Sequence, residues 1–227
     1  MKVAIFIDGG FYRRRSQAIH GDISAENRAN ELESYCYKHL HFGKKDKLYR
    51  PFVELYRIFY YDCPPMTKKV YHPFLKKQID FSKTELFAWT NTFLDELKKR
   101  RKFALRLGKL ADGQAHYNIK EKTLKSLCSG SLKFEELTEQ DFVINVEQKG
   151  VDMKIGIDIA SLAYKKQVDQ IILISGDSDF VPAAKLARRE GIDFILDPLG
   201  APIKPDLFEH IDGLRSCDKS YLEKTKK

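Results

Sequence analysis

The run Ile171-Ile172-Leu173-Ile174-Ser175-Gly176-Asp177-Ser178-Asp179-Phe180 ends four apolar residues in a glycine turn carrying two aspartates two positions apart. Carboxylates this close repel and raise each other's pKa, so the turn is costly unless a cation or protons intervene. Two further elements offer the same group: Asp8 follows Val3-Ala4-Ile5-Phe6-Ile7, and Asp152 stands in Lys149-Gly150-Val151-Asp152. An all-carboxylate set with no His or Cys beside it is a hard oxygen donor set, which selects Mg²⁺ or Mn²⁺ over zinc. Such a site supports metal-assisted phosphodiester hydrolysis by a water whose pKa the metal lowers.

Each aspartate also has a plainer use, because Asp after a strand is a common N-cap or turn residue. Asp179 either supports the site or caps a helix beginning near Phe180. Three aspartates at one sheet edge weaken the plain reading taken together. Asp158 differs, sharing a helix face with Lys154, Ser161 and Lys165, where a solvated ion-paired face competes with a metal ligand.

Those side chains must be positioned by a fold, and the apolar pattern describes one. Residues 2–7 read as a buried strand starting the chain. Helices are expected from Phe11 to about His20 and from Ser24, as N-cap, to Leu40, ended by Gly43 and the lysines after it. Glu54 to Tyr61 reads as a second strand, and Ser82 to Lys102 as a helix capped by Ser82. Phe103 to Leu107 is a further strand. Phe142 to Val146 is expected as another strand entering the same sheet edge before a helix over Val151 to Lys166. Ile171 to Ile174, a helix over Pro182 to Glu190, and the strand Phe194 to Leu196 follow. The alternation with continuously apolar strands predicts an α/β fold whose mainly parallel sheet is covered on both faces. In such sheets sites form beyond the carboxyl ends of the strands near a reversal of strand order, where Asp8 and Asp177 would point. Residues 108–140 have weak periodicity and read as an insertion; Lys68 to Asp80 is equally hard to place.

The chain of 227 residues fits one domain, and 43% hydrophobic with 12% aromatic residues describes a packed globule. The 40 Lys and Arg against 32 Asp and Glu leave +8, which suits a phosphate-rich partner. Cys36, Cys63, Cys128 and Cys217 form no CxxC pair, so zinc knuckles and disulfide frameworks are not indicated. Without a signal-type or membrane-length apolar run, a soluble, cytoplasmic protein is expected. No nucleophile elbow or GxxxxGK[ST] loop is present. His39 and His41 read as surface or capping residues, and Trp89 with Phe93 as core.

Arg13, Arg14 and Lys149 are candidate RNA-binding cations at the rim of the acidic crevice, although consecutive arginines on a helix point in different directions. Lys68-Lys69-Val70-Tyr71-His72-Pro73-Phe74-Leu75-Lys76-Lys77 interleaves bases with aromatics. Stacking on single-stranded RNA and packing of a loop both fit it.

Ile7-Asp8-Gly9, Lys149-Gly150-Val151-Asp152 with Ile157-Asp158, and Ser175-Gly176-Asp177-Ser178-Asp179-Phe180-Val181-Pro182 together resemble the NYN family, in its LabA-like branch of PIN-like metal-dependent nucleases. Tyr60-Tyr61-Asp62 is similar to that family's second-strand ending. The resemblance implies a PIN-like three-layer α/β/α sandwich over 1–215, with insertions near 63–81 and 108–140 and a basic tail at 216–227. It implies a Mg²⁺ or Mn²⁺ site of Asp8, Asp152 and Asp177 with Asp179 supporting, and endoribonuclease activity on single-stranded or structured RNA, with a homodimer left open. Many members carry asparagine where this chain has Phe11, so that role is either absent here or filled by another residue such as Asn91 or Ser175. The alternative is an RNA-binding regulatory module that kept the fold and lost hydrolysis. A haloacid-dehalogenase-type phosphatase fails, because it needs an acid where Gly10 stands.

Overall fold

The computed structural model describes residues 1–41 and 52–223. The expected helix stop at Gly43 and the end of the basic tail lie outside the described residues. The chain opens with β1 (Lys2–Asp8), α1 (Gly9–His20), α2 (Ala25–His41) and β2 (Glu54–Asp62). It continues through β3 (Lys69–His72), β4 (Lys77–Asp80), α3 (Glu85–Lys98), β5 (Phe103–Leu107), β6 (Lys109–Leu110) and β7 (His116–Ile119). Then follow α4 (Glu121–Cys128), β8 (Phe142–Asn145), β9 (Gln148–Lys149), α5 (Val151–Tyr164) and β10 (Gln170–Ile174). The last elements are α6 (Val181–Arg189), β11 (Asp193–Asp197), α7 (Pro205–Glu209), β12 (Gly213–Leu214) and α8 (Lys219–Glu223).

Two compact units share these elements: Met1–Cys63, Thr92–Gly108 and Gly150–Lys227 form one, Pro64–Asn91 and Lys109–Lys149 the other. The first holds a six-stranded sheet of order β12-β11-β10-β1-β2-β5, with every pairing parallel. Val3 to Ile7 and Ile171 to Ile174 are almost completely buried, which is why these strands read as unbroken apolar runs. From β1 the chain steps outward to β2 and β5, then returns to lay β10 against the other side of β1 and steps outward again to β11 and β12. Right-handed crossovers therefore put α1, α2 and α3 on one face and α5 with α6 on the other. The result is an α/β fold consistent with a PIN-like α/β/α sandwich, and its strand order reverses between β1 and β10.

Local chemistry sets the helix ends. Ser24 caps α2 as expected, its Oγ accepting from Asn27 N at 3.2 Å. Ser82 does not cap α3: it sits in a 3₁₀ turn capped by Asp80, and Thr84 Oγ1 accepts from Phe87 N at 3.2 Å to begin the helix. Burial of Val151, Ile155, Ile159, Leu162 and Ala163 seats α5 as the 3.6 period requires. Phe93 is fully buried and Trp89 half-buried.

One expected strand is elsewhere. β8 does not join the parallel sheet; it pairs antiparallel with β7 in the second unit. Its burial alternates along the strand, and an element that hides only one side chain in two fits a half-exposed antiparallel pair rather than a sheet covered on both faces. That second unit otherwise comprises the antiparallel hairpin β3–β4, the short pair β6–β9 and α4. No helix among the described residues is long and apolar enough to cross a membrane.

Candidate functional site

The turn after β1 is shaped by glycine. A Cβ on Gly9 would stand 2.5 Å from Tyr60 Cζ and 2.6 Å from the Tyr61 carbonyl oxygen, so only glycine lets α1 start this close to β2. Gly9→Ala is expected to cost about 1–3 kcal/mol, the ordinary penalty of overpacking, in urea-induced unfolding.

Asp8 is the N-cap of α1, its Oδ1 accepting from Phe11 N at 3.0 Å. Its Oδ2 accepts from Ser175 Oγ at 3.3 Å, and the same Oγ accepts from Asp177 N at 3.3 Å. Ser175, completely buried at the end of β10, thus ties the first aspartate to the third. Asp177 in turn caps a short 3₁₀ turn, with Oδ1 accepting from Asp179 N at 3.1 Å. Asp179 does not cap α6, whose N-cap is Phe180. Its exposed carboxylate remains on the surface beside Asp177.

Electrostatics join the fourth residue to these. Burial pushes the Asp8 carboxyl above the ordinary range and the charge of Asp152 adds to it, against Phe11 N, Arg14 and Ser175. Asp152, in the first turn of α5, is raised by burial and then by Asp177 and Asp179. Charge thus couples Asp152 to Asp177 and Asp179, and Asp8 to Asp152.

The donor chemistry fits a hard divalent cation, which would relieve this repulsion. Among the described residues, however, no group of three or more His, Cys, Asp or Glu side chains is arranged to hold a metal ion.

The expected cations are distributed differently. Arg13 turns inward onto buried Asp62 at the end of β2, with Nη2–Oδ1 3.0 Å and Nε–Oδ2 2.9 Å. Arg15 donates to the Leu199 carbonyl at 2.8 Å. Arg14 is exposed, and its charge acts on Asp8. Lys149 belongs to the second unit, where its nearest carboxylate is Glu147 at 3.6 Å. Asp158 is held by Tyr61 OH at 2.8 Å and Arg106 Nε at 3.1 Å, partners on β2 and β5 rather than the lysines of its own helix.

Three contacts could not be read from the sequence. Lys204 Nζ donates to Ser178 Oγ at 3.0 Å, placing a cation over the Asp177–Asp179 turn from a loop with no motif. His39 is not a surface residue: it is buried and bonded to buried Asp197 at 2.9 Å, because α2 presents Tyr35, Cys36 and His39 inward. Phe11, at the position of the absent asparagine, lays its ring where a Cβ on Gly176 would stand, 2.9 Å from Cε2.

An open cleft of about 720 Å³ lies at the other, amino-terminal edge of the sheet. It is lined by Lys185, Arg188, Arg189 and His210 with Asp193 and Asp212 and by none of the four aspartates.

A parallel sheet whose strand order reverses between β1 and β10, with helices packed on it, is consistent with a PIN-like α/β fold. The family profile described as the NYN domain matches residues 90–202 and supports the NYN family for this chain. NYN domains are generally nucleases and typically depend on divalent metals. An uncharacterized protein, y4oD, from Sinorhizobium fredii is 31% identical over 81 residues. That stretch is 34% of this chain, and the chain spans only 38% of the relative. A crystal structure of a protein of unknown function from Vibrio parahaemolyticus covers 96% of this chain and 94% of its own at 14% identity and a TM-score of 0.49.

Proposed function

We propose that the protein is a Mg²⁺- or Mn²⁺-dependent endoribonuclease of the LabA-like branch, acting in the cytoplasm through Asp8, Asp152, Asp177 and Asp179. The observation that carries this reading is the Ser175 bridge between Asp8 and Asp177 at the β1/β10 switch point, where burial and neighbouring acids also raise the carboxyls of Asp8 and Asp152. Perturbed acids gathered at such a crevice mark functional sites.

Asp8, Asp152 and Asp177 would hold the ion, with Asp179 in support. The bound metal would supply a water of lowered pKa and neutralise charge on the phosphate. The chain's own residues do the positioning. Ser175 fixes the Asp8 carboxylate through one hydrogen bond and the Asp177 backbone through another, taking the place of the missing asparagine. Arg14, whose charge acts on Asp8, and Lys204, bonded to Ser178, are both exposed and attract and orient the phosphates of RNA. Arg13, already committed to Asp62, contributes by holding the start of α1 against β2. Lys149 remains a candidate phosphate contact. The single NYN/PIN-like domain over 1–215 is part of the same proposal.

Ser175→Ala removes a group that acts only through the aspartates. A drop in cleavage rate of about 10-fold or more is expected with the fold intact, as when the partner of a metal ligand is lost.

The test is cleavage of an internally labelled single-stranded RNA by the wild-type protein with Mn²⁺, Mg²⁺ or a chelator. Internal cuts that require the metal support the reading. RNA binding without cleavage under any metal would instead make the chain a regulatory RNA-binding module, the reading favoured by Phe11 standing in place of asparagine.

A further inference from the structure

The basic and aromatic stretch at 68–77 has a definite form. Val70 and His72 point inward from β3, 6% and 3% exposed, with the His72 ring 4.2 Å from Tyr117 and 5.5 Å from Phe142. The period of two therefore turns Lys69 and Tyr71 outward. Tyr71 is 52% exposed and lies opposite Gln78, and among the described residues its ring meets no other ring. Phe74, in the turn, is 43% exposed and reaches only the edge of this cluster, 5.9 Å from Phe142. Leaving two aromatic faces in water on one small hairpin forgoes burial that both rings would gain inside the unit.

Charge points the same way. Lys68, Lys69, Lys76 and Lys77 lie in a stretch whose nearest acid is Asp80. Lys69 stands 4.0 Å from Asp80, whereas exposed Lys76 and Lys77 have no carboxylate partner among the described residues. Lys76 also holds a φ of 50°, a left-handed conformation that glycine or asparagine would adopt with less strain. A long cation thus occupies a turn position better suited to a smaller residue.

We infer that the β3–β4 hairpin is a binding surface for single-stranded RNA, with Tyr71 and Phe74 stacking on bases and Lys69, Lys76 and Lys77 meeting phosphates. The ligand class rests on the ribonuclease reading, but the surface belongs to the second unit and contains none of the four aspartates. Exposed rings between lysines match a strand whose bases are unpaired, since every base offers a face to stack. A duplex hides those faces.

Fluorescence anisotropy with a short labelled RNA, in chelator so that nothing is cut, tests it. Tyr71→Ala and Phe74→Ala are each expected to weaken single-strand binding about fivefold or more, while Tyr71→Phe binds like wild type. Changing Lys69, Lys76 and Lys77 to glutamine should flatten the dependence of log K on log salt by about 0.7 per lysine. The same RNA annealed to its complement should bind more weakly than the single strand. Circular dichroism and melting confirm that the variants fold.

If folded variants bind RNA as wild type does, the inference is overturned and the hairpin face is left to a protein partner. Loss in the lysine variant with Tyr71→Ala silent overturns it too, since charge without stacking describes a general polyanion surface. Wild-type cleavage with intact binding in every hairpin variant sinks this inference alone. Single-strand binding that depends on Tyr71, with no cleavage under any metal, sinks the ribonuclease reading alone.

Discussion

Asp177→Asn is expected to reduce RNA cleavage by at least about 100-fold, the usual cost of removing one electrostatic group from an active site. The substitution keeps the shape of the side chain. An amide oxygen can still accept from Asp179 N, which Asp177 Oδ1 now does at 3.1 Å, so the 3₁₀ turn should survive and only the charge is lost. Asp8→Asn makes the same comparison at the other strand, with the bond from Phe11 N preserved by an asparagine N-cap.

Unfolding as the cause is excluded by a second measurement. In metal-free protein the ionised form of Asp8 is disfavoured by burial and by Asp152, so its neutral replacement should melt no lower than wild type at neutral pH. The sign follows from linkage. A carboxyl raised in the folded state burdens stability above its folded pKa and ceases to do so below its unfolded pKa, so any advantage of Asp8→Asn should fade as pH falls. Cleavage within a few-fold of wild type by both variants would remove the aspartates from the chemistry. A clear loss of stability would assign them capping roles instead.

Asp62→Ala is expected to destabilise the protein by about 3–5 kcal/mol, because it strands a guanidinium whose counter-charge is buried. Asp62 is 1% exposed and gathers the Arg13 guanidinium, Tyr60 OH at 2.9 Å and Cys63 N at 2.8 Å. Removing the carboxylate leaves Arg13 and the fully buried Tyr60 hydroxyl without this acceptor. For a chain of this size the loss corresponds to a fall in Tm on the order of 10 °C.

Replacing both members, Arg13→Met with Asp62→Leu, should cost less than the sum of the singles, since no orphaned charge then remains. Urea titrations of the four proteins measure the coupling. A single-variant loss below about 1 kcal/mol would show the pair to be dispensable. Arg13 is the fifth residue of α1, so loss of the pair should also loosen the start of the helix that Asp8 caps.

The parts of this protein written in consecutive residues are legible in the chain itself. β1 and β10 are runs of apolar residues because both faces of the sheet are covered, and α5 buries the positions that its period selects. Ser24 caps α2 because a hydroxyl there meets Asn27 N within one turn. Strand-end aspartates are legible in the same way, as strand ends are local events. The two-residue β12 is not, being too short to carry a period.

What the sequence by itself determined is the α/β alternation and the supply of acids at strand and helix starts. Tertiary structure alone decided which charges meet. It sent Arg13 to an acid 49 positions away, Arg15 to a carbonyl 184 positions away and left Arg14 beside the site. It also moved β8 out of the parallel sheet and buried His39 against Asp197. The reason is the range of the forces. Backbone period and capping act within a turn or a pleat, whereas an ion pair or a strand pairing is chosen by packing between segments that no local pattern connects.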